Sequence, residues 1–153
     1  MRSAKGFTLI ELMVTLVVLA ILLTIGIPSF NATIRESRLT SQSNDLLGSM
    51  IAARSEAANR NEPVRIAAAS DGWAAGWQLR DLDDDVIRNY RGLRGGNTLV
   101  CTGDCDEVIF LGSGSADGSA TFTLCHQGGG HGRVIEVLNS GKARISNGDA
   151  ACS

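Results

Sequence analysis

Four groups of side chains in this chain have types and spacings that could carry chemistry: cysteines, alternating aspartates, two histidines and a cation pair near the C-terminal end. Cys101, Cys105, Cys125 and Cys152 are even in number, which in an oxidising compartment reads as two disulfides. Three connectivities are open. Sequence proximity favours Cys101–Cys105, closing a small loop, with Cys125–Cys152 fastening the C-terminus to the strands before it. Closing the longer loop constrains the unfolded chain and contributes nominally about 3 kcal/mol. A zinc site built from these thiols with His126 or His131 is the rival, but no second spaced pair accompanies C-x3-C, so no metal is expected. Asp81, Asp83 and Asp85 alternate as in a calcium loop. That loop needs Gly at its sixth position and Glu at its twelfth, where this chain has Val86 and Gly92. A solvated turn is the expectation there.

Catalysis finds little support. No G-x-S-x-G, H-E-x-x-H or phosphate-cradling Walker A pattern occurs. Cys125 beside His126 suggests a thiol nucleophile, yet sequence neighbours on a strand point to opposite faces. The expectation is a non-enzymatic protein without a cofactor. The informative charges lie late in the chain. From His126 to Ser146, Arg133, Lys142 and Arg144 stand against Glu136 alone. Lys142 and Arg144 are two apart, so on a strand they share a face and sit about 6.6 Å from each other, a spacing suited to neighbouring phosphates. Gly141 in front of them permits a close backbone approach. The stretch from Asp71 to Glu107 is acidic by contrast, with four arginines against eight acids.

The elements that must hold these residues follow from patterning. The chain has 153 residues, 44% hydrophobic and 20% charged, with a net charge of −2, which excludes wholesale disorder and a whole-protein polycation. The average hides an asymmetry. No charged residue occurs from Leu12 to Ile34. A helix from Phe7 to Phe30 rises about 36 Å at ~1.5 Å per residue, enough to cross a bilayer core of roughly 30 Å. A secretory signal peptide would need a small-residue cleavage site after the apolar run, and Pro28-Ser29-Phe30-Asn31 offers none. A plain anchor does not account for Glu11, a carboxylate inside an apolar segment that by default has a function and a partner.

The leader and first helix, MRSAKG followed by FTLIELMVTLVVLAILLTIGIPSF, closely resemble those of type IV pilins and type II secretion pseudopilins. The resemblance implies cleavage after Gly6 by a prepilin peptidase and methylation of the new N-terminal Phe7. It makes Glu11 the family's glutamate at the fifth mature position and Pro28 its helix-kinking proline. The physics agrees. Arg2 and Lys5 precede the apolar run, which keeps the N-terminus cytoplasmic and sends the domain across the membrane. Glu11 lies four residues from Phe7, on the same helix face, and can neutralise its own or a neighbour's ammonium in a low-dielectric bundle. Gly26 and Pro28 weaken the helix locally.

Beyond the apolar run, Leu39, Leu46, Met50, Ala53 and Ala57 recur at helical spacing with only Ser43 interrupting. One helix is therefore expected from Phe7 to about Ala58, with Asn59 to Pro63 as its stop. Strand-like segments follow: VRIAAAS and WAAGWQLR joined at Asp71-Gly72, then VIRNYRGL, TLVC, VIFLG, TFTLCH, RVIEVL and KARIS. GSGSADGSA and QGGGHG read as loops. The expected fold is α+β, a long N-terminal helix packed on a small antiparallel β-sheet. Its parts are a cleaved leader at 1–6, a transmembrane and filament-core half-helix at 7–34, an amphipathic half at 35–62 and a β-rich domain at 63–153.

The segments GWQLRDLDDDVIRNYRG, VIFLGSG, TFTLCH and GRVIEVLNSGKARI resemble the FimT/GspH branch of the pilin family. That resemblance implies a minor type IV pilin that helps initiate or cap a filament, or alternatively the minor pseudopilin H of a type II secretion system. FimT-type pilins that take up DNA carry a C-terminal G-R-x-R motif, and Gly141-Lys142-Ala143-Arg144 stands in its place. Lys142 keeps the charge but loses the planar fork of arginine. Double-stranded DNA is thus an expected partner through Arg133, Gly141, Lys142 and Arg144, beside other pilins, the prepilin peptidase and the inner membrane. The implied location is a single pass of a Gram-negative inner membrane with a periplasmic domain, then the pilus fibre at the cell surface.

Overall fold

The computed structural model describes residues 6–103 and 105–152, and the side chains of all of these except residues 25 and 147–151. The leader cations Arg2 and Lys5 lie outside the described residues. The chain divides into two units, Met1–Glu36 and Ser37–Ser153. One helix, α1 (Leu9–Arg60), contains Pro28 and supplies both the apolar segment and the helical part of the second unit. It starts at Thr8, whose hydroxyl accepts from the Glu11 N–H at 3.3 Å, so a threonine cap satisfies one of the free amides of the first turn. It ends two residues later than the periodicity predicts. Asn61 takes a left-handed φ of 54°, and the Glu62 N–H donates to the Ala57 carbonyl at 3.2 Å, the six-to-one closure of a Schellman cap.

In the second unit, eight strands follow: β1 (Val64–Ala69), β2 (Gly72–Arg80), β3 (Val86–Arg91), β4 (Asn97–Gly103), β5 (Glu107–Phe110), β6 (Ala120–His126), β7 (Gly130–Val137) and β8 (Ala143–Cys152). All pairings are antiparallel. The α+β expectation holds, with one refinement: the strands form two four-stranded sheets, in the orders β3-β2-β1-β5 and β4-β6-β7-β8. The Asp71-Gly72 hairpin forms with Gly72 at φ 88°, a conformation open to glycine, and the register shifts at Ala68/Ala69. QGGGHG is loop only in its first part, since β7 opens at Gly130 and extends to pair Gly130 with Cys152.

The core lies where the helical stripe meets both sheets. Leu39, Leu46, Met50, Ala53 and Ala57 are buried together with Val64, Ile66, Trp77, Leu79, Phe110, Phe122, Leu124, Ile135 and Val137. Ser43 does not interrupt the stripe; it is fully buried, its hydroxyl donating to the Thr40 carbonyl at 2.9 Å. A serine can close its hydrogen bond within the helix, so its small volume counts for more here than its polarity. Trp73 packs edge-on against Phe122 with centroids 4.8 Å apart and donates its indole N–H to the Cys105 carbonyl at 2.6 Å. That bond joins a core ring of one sheet to the small loop closed by Cys101 and Cys105.

Candidate functional site

Two regions hold the residues that the sequence singles out. The first is the start of α1. Gly6 and Phe7 precede the helix and Glu11 lies in its first turn, where a carboxylate interacts favourably with the helix dipole. Leu9, Ile10, Leu12, Leu16, Leu19, Leu23 and Phe30 are all exposed, as is Phe7 at 80%. The helix is long and apolar enough to cross a membrane by length and composition. Thr15 and Thr24 do not break the apolar surface, because their hydroxyls donate to the carbonyls of Leu12 and Ile21 at 2.8 and 2.7 Å. An exposed apolar face of this length needs lipid or other helices to cover it.

The second region is the turn into β8. Gly141 has φ 74°, and its N–H donates to the Leu138 carbonyl at 2.8 Å. A Cβ there would come within 3.0 Å of the Gly114 carbonyl carbon and 3.2 Å of Arg54 Nε. Arg54 Nε in turn donates to the Gly114 carbonyl at 2.8 Å. Gly141 thus permits a close backbone approach, and the backbone is the chain's own at Gly114. Lys142 immediately precedes β8 and is exposed, with no ion pair among the described residues. Arg144 is also exposed, but its Nε and Nη2 both reach Glu136 Oε2 at 2.8 Å, across the β7–β8 ladder in which these two residues are partners. Arg133 pairs with Leu124, whose side chain is buried in the core, and donates to Thr40 Oγ1 on α1 at 3.4 Å. It therefore lies on the helix-facing side, while Arg144 lies on the outer face. Lys142 and Arg144 are both exposed at the start of β8, and the structure separates Arg133 from them.

The other candidates are used locally. Cys101 is bonded to Cys105 and Cys125 to Cys152. No group of metal-ligating side chains forms among the described residues. Asp81 Oδ1 accepts from the N–H groups of Asp83 and Asp85 at 3.1 and 2.9 Å, tying the acidic turn on itself. Asp84 has φ 68° and pairs with Arg65 at 2.6 Å and Arg80 at 3.0 Å. The hydrogen bond from Arg80 first, and the charge of Arg65 next, hold its carboxyl below the usual carboxylate value. Sequence reasoning passed over Arg38, Arg88, Arg91 and Arg94, which line one groove. Their signal was diluted because the eight acids between Asp71 and Glu107 mask three of them in any net count.

A membrane-competent first helix whose second half packs on antiparallel sheets defines a pilin-type subunit. The family model for the Type II transport protein GspH matches residues 42–141, and that for the prokaryotic N-terminal methylation motif matches residues 1–27. The chain belongs to the GspH family, a family of structural pilin and pseudopilin subunits. Among solved structures it is similar to the type IV minor pilin FimU of Pseudomonas aeruginosa, at 24% identity and TM-score 0.64, over 73% of this chain and 90% of that one. It is also similar to the minor pseudopilin EpsH of the Vibrio cholerae Type 2 Secretion System, at 12% identity and TM-score 0.57, over 71% and 96%. Both likenesses show the pilin fold. No curated protein matches the chain.

Proposed function

We propose that this chain is a minor pilin of a type IV pilus, cut after Gly6, methylated at Phe7 and held in the filament by its first helix. The observation that carries this reading is the exposed apolar run from Leu9 to Phe30 with Glu11 as its one carboxylate. In a bundle of such helices the Phe7 ammonium of one subunit is the natural partner of Glu11, its own or a neighbour's. The remainder of the chain then lies in the periplasm and later on the fibre surface, where an oxidising environment maintains both disulfides. Mass spectrometry of the mature protein tests the processing step: an N-terminal methylated Phe7 is expected, and an intact Met1 or cleavage near Ala32 would sink it.

Exposed Lys142 and Arg144 support a second role, weak capture of double-stranded DNA without sequence preference. Arg144 is shared with Glu136 and Arg133 faces the helix, so about two phosphate contacts are available and the log–log salt slope should be about −2. With Lys142→Gln and Arg144→Gln combined, the salt slope should drop by up to about two units. Glu136→Gln frees the Arg144 fork and should strengthen binding; no response to either change would leave this edge an ordinary basic strand. The GspH description supports the alternative, the minor pseudopilin H of a type II secretion system. Immunolabelling of sheared surface fibres separates the two, because a pseudopilus subunit is absent from them.

A further inference from the structure

Arg38 on α1, Arg88 and Arg91 on β3, and Arg94 in the loop after β3 line one open groove of about 990 Å³. Asp45 is the one acid among its lining residues. All four arginines are exposed, and none forms an ion pair among the described residues. Elsewhere in the domain Arg65, Arg80 and Arg144 are each held by a carboxylate. Guanidinium groups left unpaired along one channel are complementary to a ligand that brings the carboxylates or phosphates itself.

One wall of the groove is a sheet edge. β3 pairs with β2 alone, so every second residue of β3 turns its N–H and C=O away from the sheet. The floor and opposite wall are fixed. Trp77 stacks on Tyr90 with centroids 6.0 Å apart, and its indole donates to Ser49 Oγ on α1 at 2.8 Å. Gln42 on α1 donates to the Arg94 carbonyl at 3.1 Å and accepts from Asn97 at 2.6 Å. Tyr90 Oη is buried at this floor with no hydrogen-bond partner among the described residues. Unpaired main-chain groups, an unpaired hydroxyl and unpaired arginines thus meet in one place.

We propose that this groove is a strand-addition site for an extended polypeptide segment with acidic side chains at alternate positions. The added strand would take its affinity from main-chain hydrogen bonds to β3. Its selectivity would come from carboxylates meeting Arg88 on one wall and Arg38 on the other. A nucleic acid fits less well. Trp77 is 2% exposed and Tyr90 covers its face, so the indole offers no platform to a base and only the half-buried ring of Tyr90 remains. Arginines on an edge strand also discourage pairing between edges, and a guard of that kind binds nothing.

The test uses the full chain in uncharged detergent micelles and a labelled, end-blocked peptide of about ten alternating Val and Glu residues. Fluorescence anisotropy should show saturable binding. Arg88→Gln, Arg91→Gln and Arg94→Gln combined should weaken it at least about tenfold. Circular dichroism and the melting temperature should stay unchanged, since all three side chains are exposed. The same peptide N-methylated at alternate residues keeps its charge but cannot complete the ladder, and should lose binding as well. Absent saturation, equal binding of the N-methylated or a Val-Lys peptide, or indifference to the triple substitution would each overturn the proposal. Displacement by double-stranded DNA at lower concentration than by unlabelled peptide would also overturn it, in favour of a phosphate site.

Discussion

Between Leu9 and Phe30 every described large apolar residue of α1 is exposed, whereas between Leu39 and Ala57 the apolar stripe of the same helix is buried to 3% exposure or less. Both stretches are helical, the first with Gly26 and Pro28 inside it. They differ in what surrounds them. The second stretch carries its apolar groups on one side and meets sheets encoded by the same chain. The first is apolar all round, so no single subunit can cover it, and the covering must come from lipid or from other helices. Stability and assembly are thus written in separate parts of this molecule. Substitutions in one part should leave the other's property intact.

The largest expected effect is on assembly. Glu11→Val removes the carboxylate while making the segment more apolar, so membrane insertion should persist and filament incorporation should be lost. Thermal unfolding of the domain should not change, because among the described residues no buried core residue lies before Leu39. Fractionating cells into membrane and sheared fibres checks both halves, and normal incorporation would show that Glu11 has no partner in the bundle. Next comes the core. Phe122→Ala removes a fully buried ring against which Trp73 packs, and should cost about 3–5 kcal/mol by chemical denaturation. Membrane partitioning should be unaffected. A loss below about 1 kcal/mol would mean that the two sheets close over the cavity.

The disulfides come third. Cys152→Ser opens a loop whose ends are 27 residues apart and frees the end of β8 from β6. A cost of about 3 kcal/mol is expected from loop entropy, more than for Cys105→Ser, whose loop has a separation of 4. Comparing denaturation midpoints of the two variants checks the order. The reverse order would point to the Trp73 bond to the Cys105 carbonyl as the larger contribution.

What could be read without coordinates follows the same division. The apolar run, the helical stripe, the Asp71-Gly72 turn and each strand were legible, because each rests on spacing within a few residues. The partition of the strands into two sheets was not. It depends on β5 returning to pair with β1 across more than forty residues, as in Val64 opposite Phe110. Facing was legible only in part. Lys142 and Arg144 share parity, whereas Arg133 falls in the same alternate row as buried Ile135 and Val137 and pairs with Leu124, so it lies with the buried row. The arginine groove was the least legible, since it joins a helix residue to a strand fifty positions later.

The smallest effect belongs to the acidic turn between β2 and β3. Asp84 is exposed, and its carboxyl is held below 3.8 by the Arg80 hydrogen bond and the Arg65 charge. A carboxyl whose folded value is depressed binds its proton more readily in the unfolded chain. Its contribution to stability is therefore complete above about 3.8 and disappears as pH falls through the lower folded value. Asp84→Asn separates charge from backbone. Asparagine tolerates the left-handed φ of 68° at this position as well as aspartate does, so only the ion pairs are removed. The variant should be slightly less stable than the parent at neutral pH, less so in high salt because the pairs are solvent-exposed. The difference should shrink to nothing in acid. Melting temperatures of both proteins across pH 2 to 7 give the answer. A difference that persists unchanged at the acid end would mean that Asp84 acts through the shape of the turn and not through its charge.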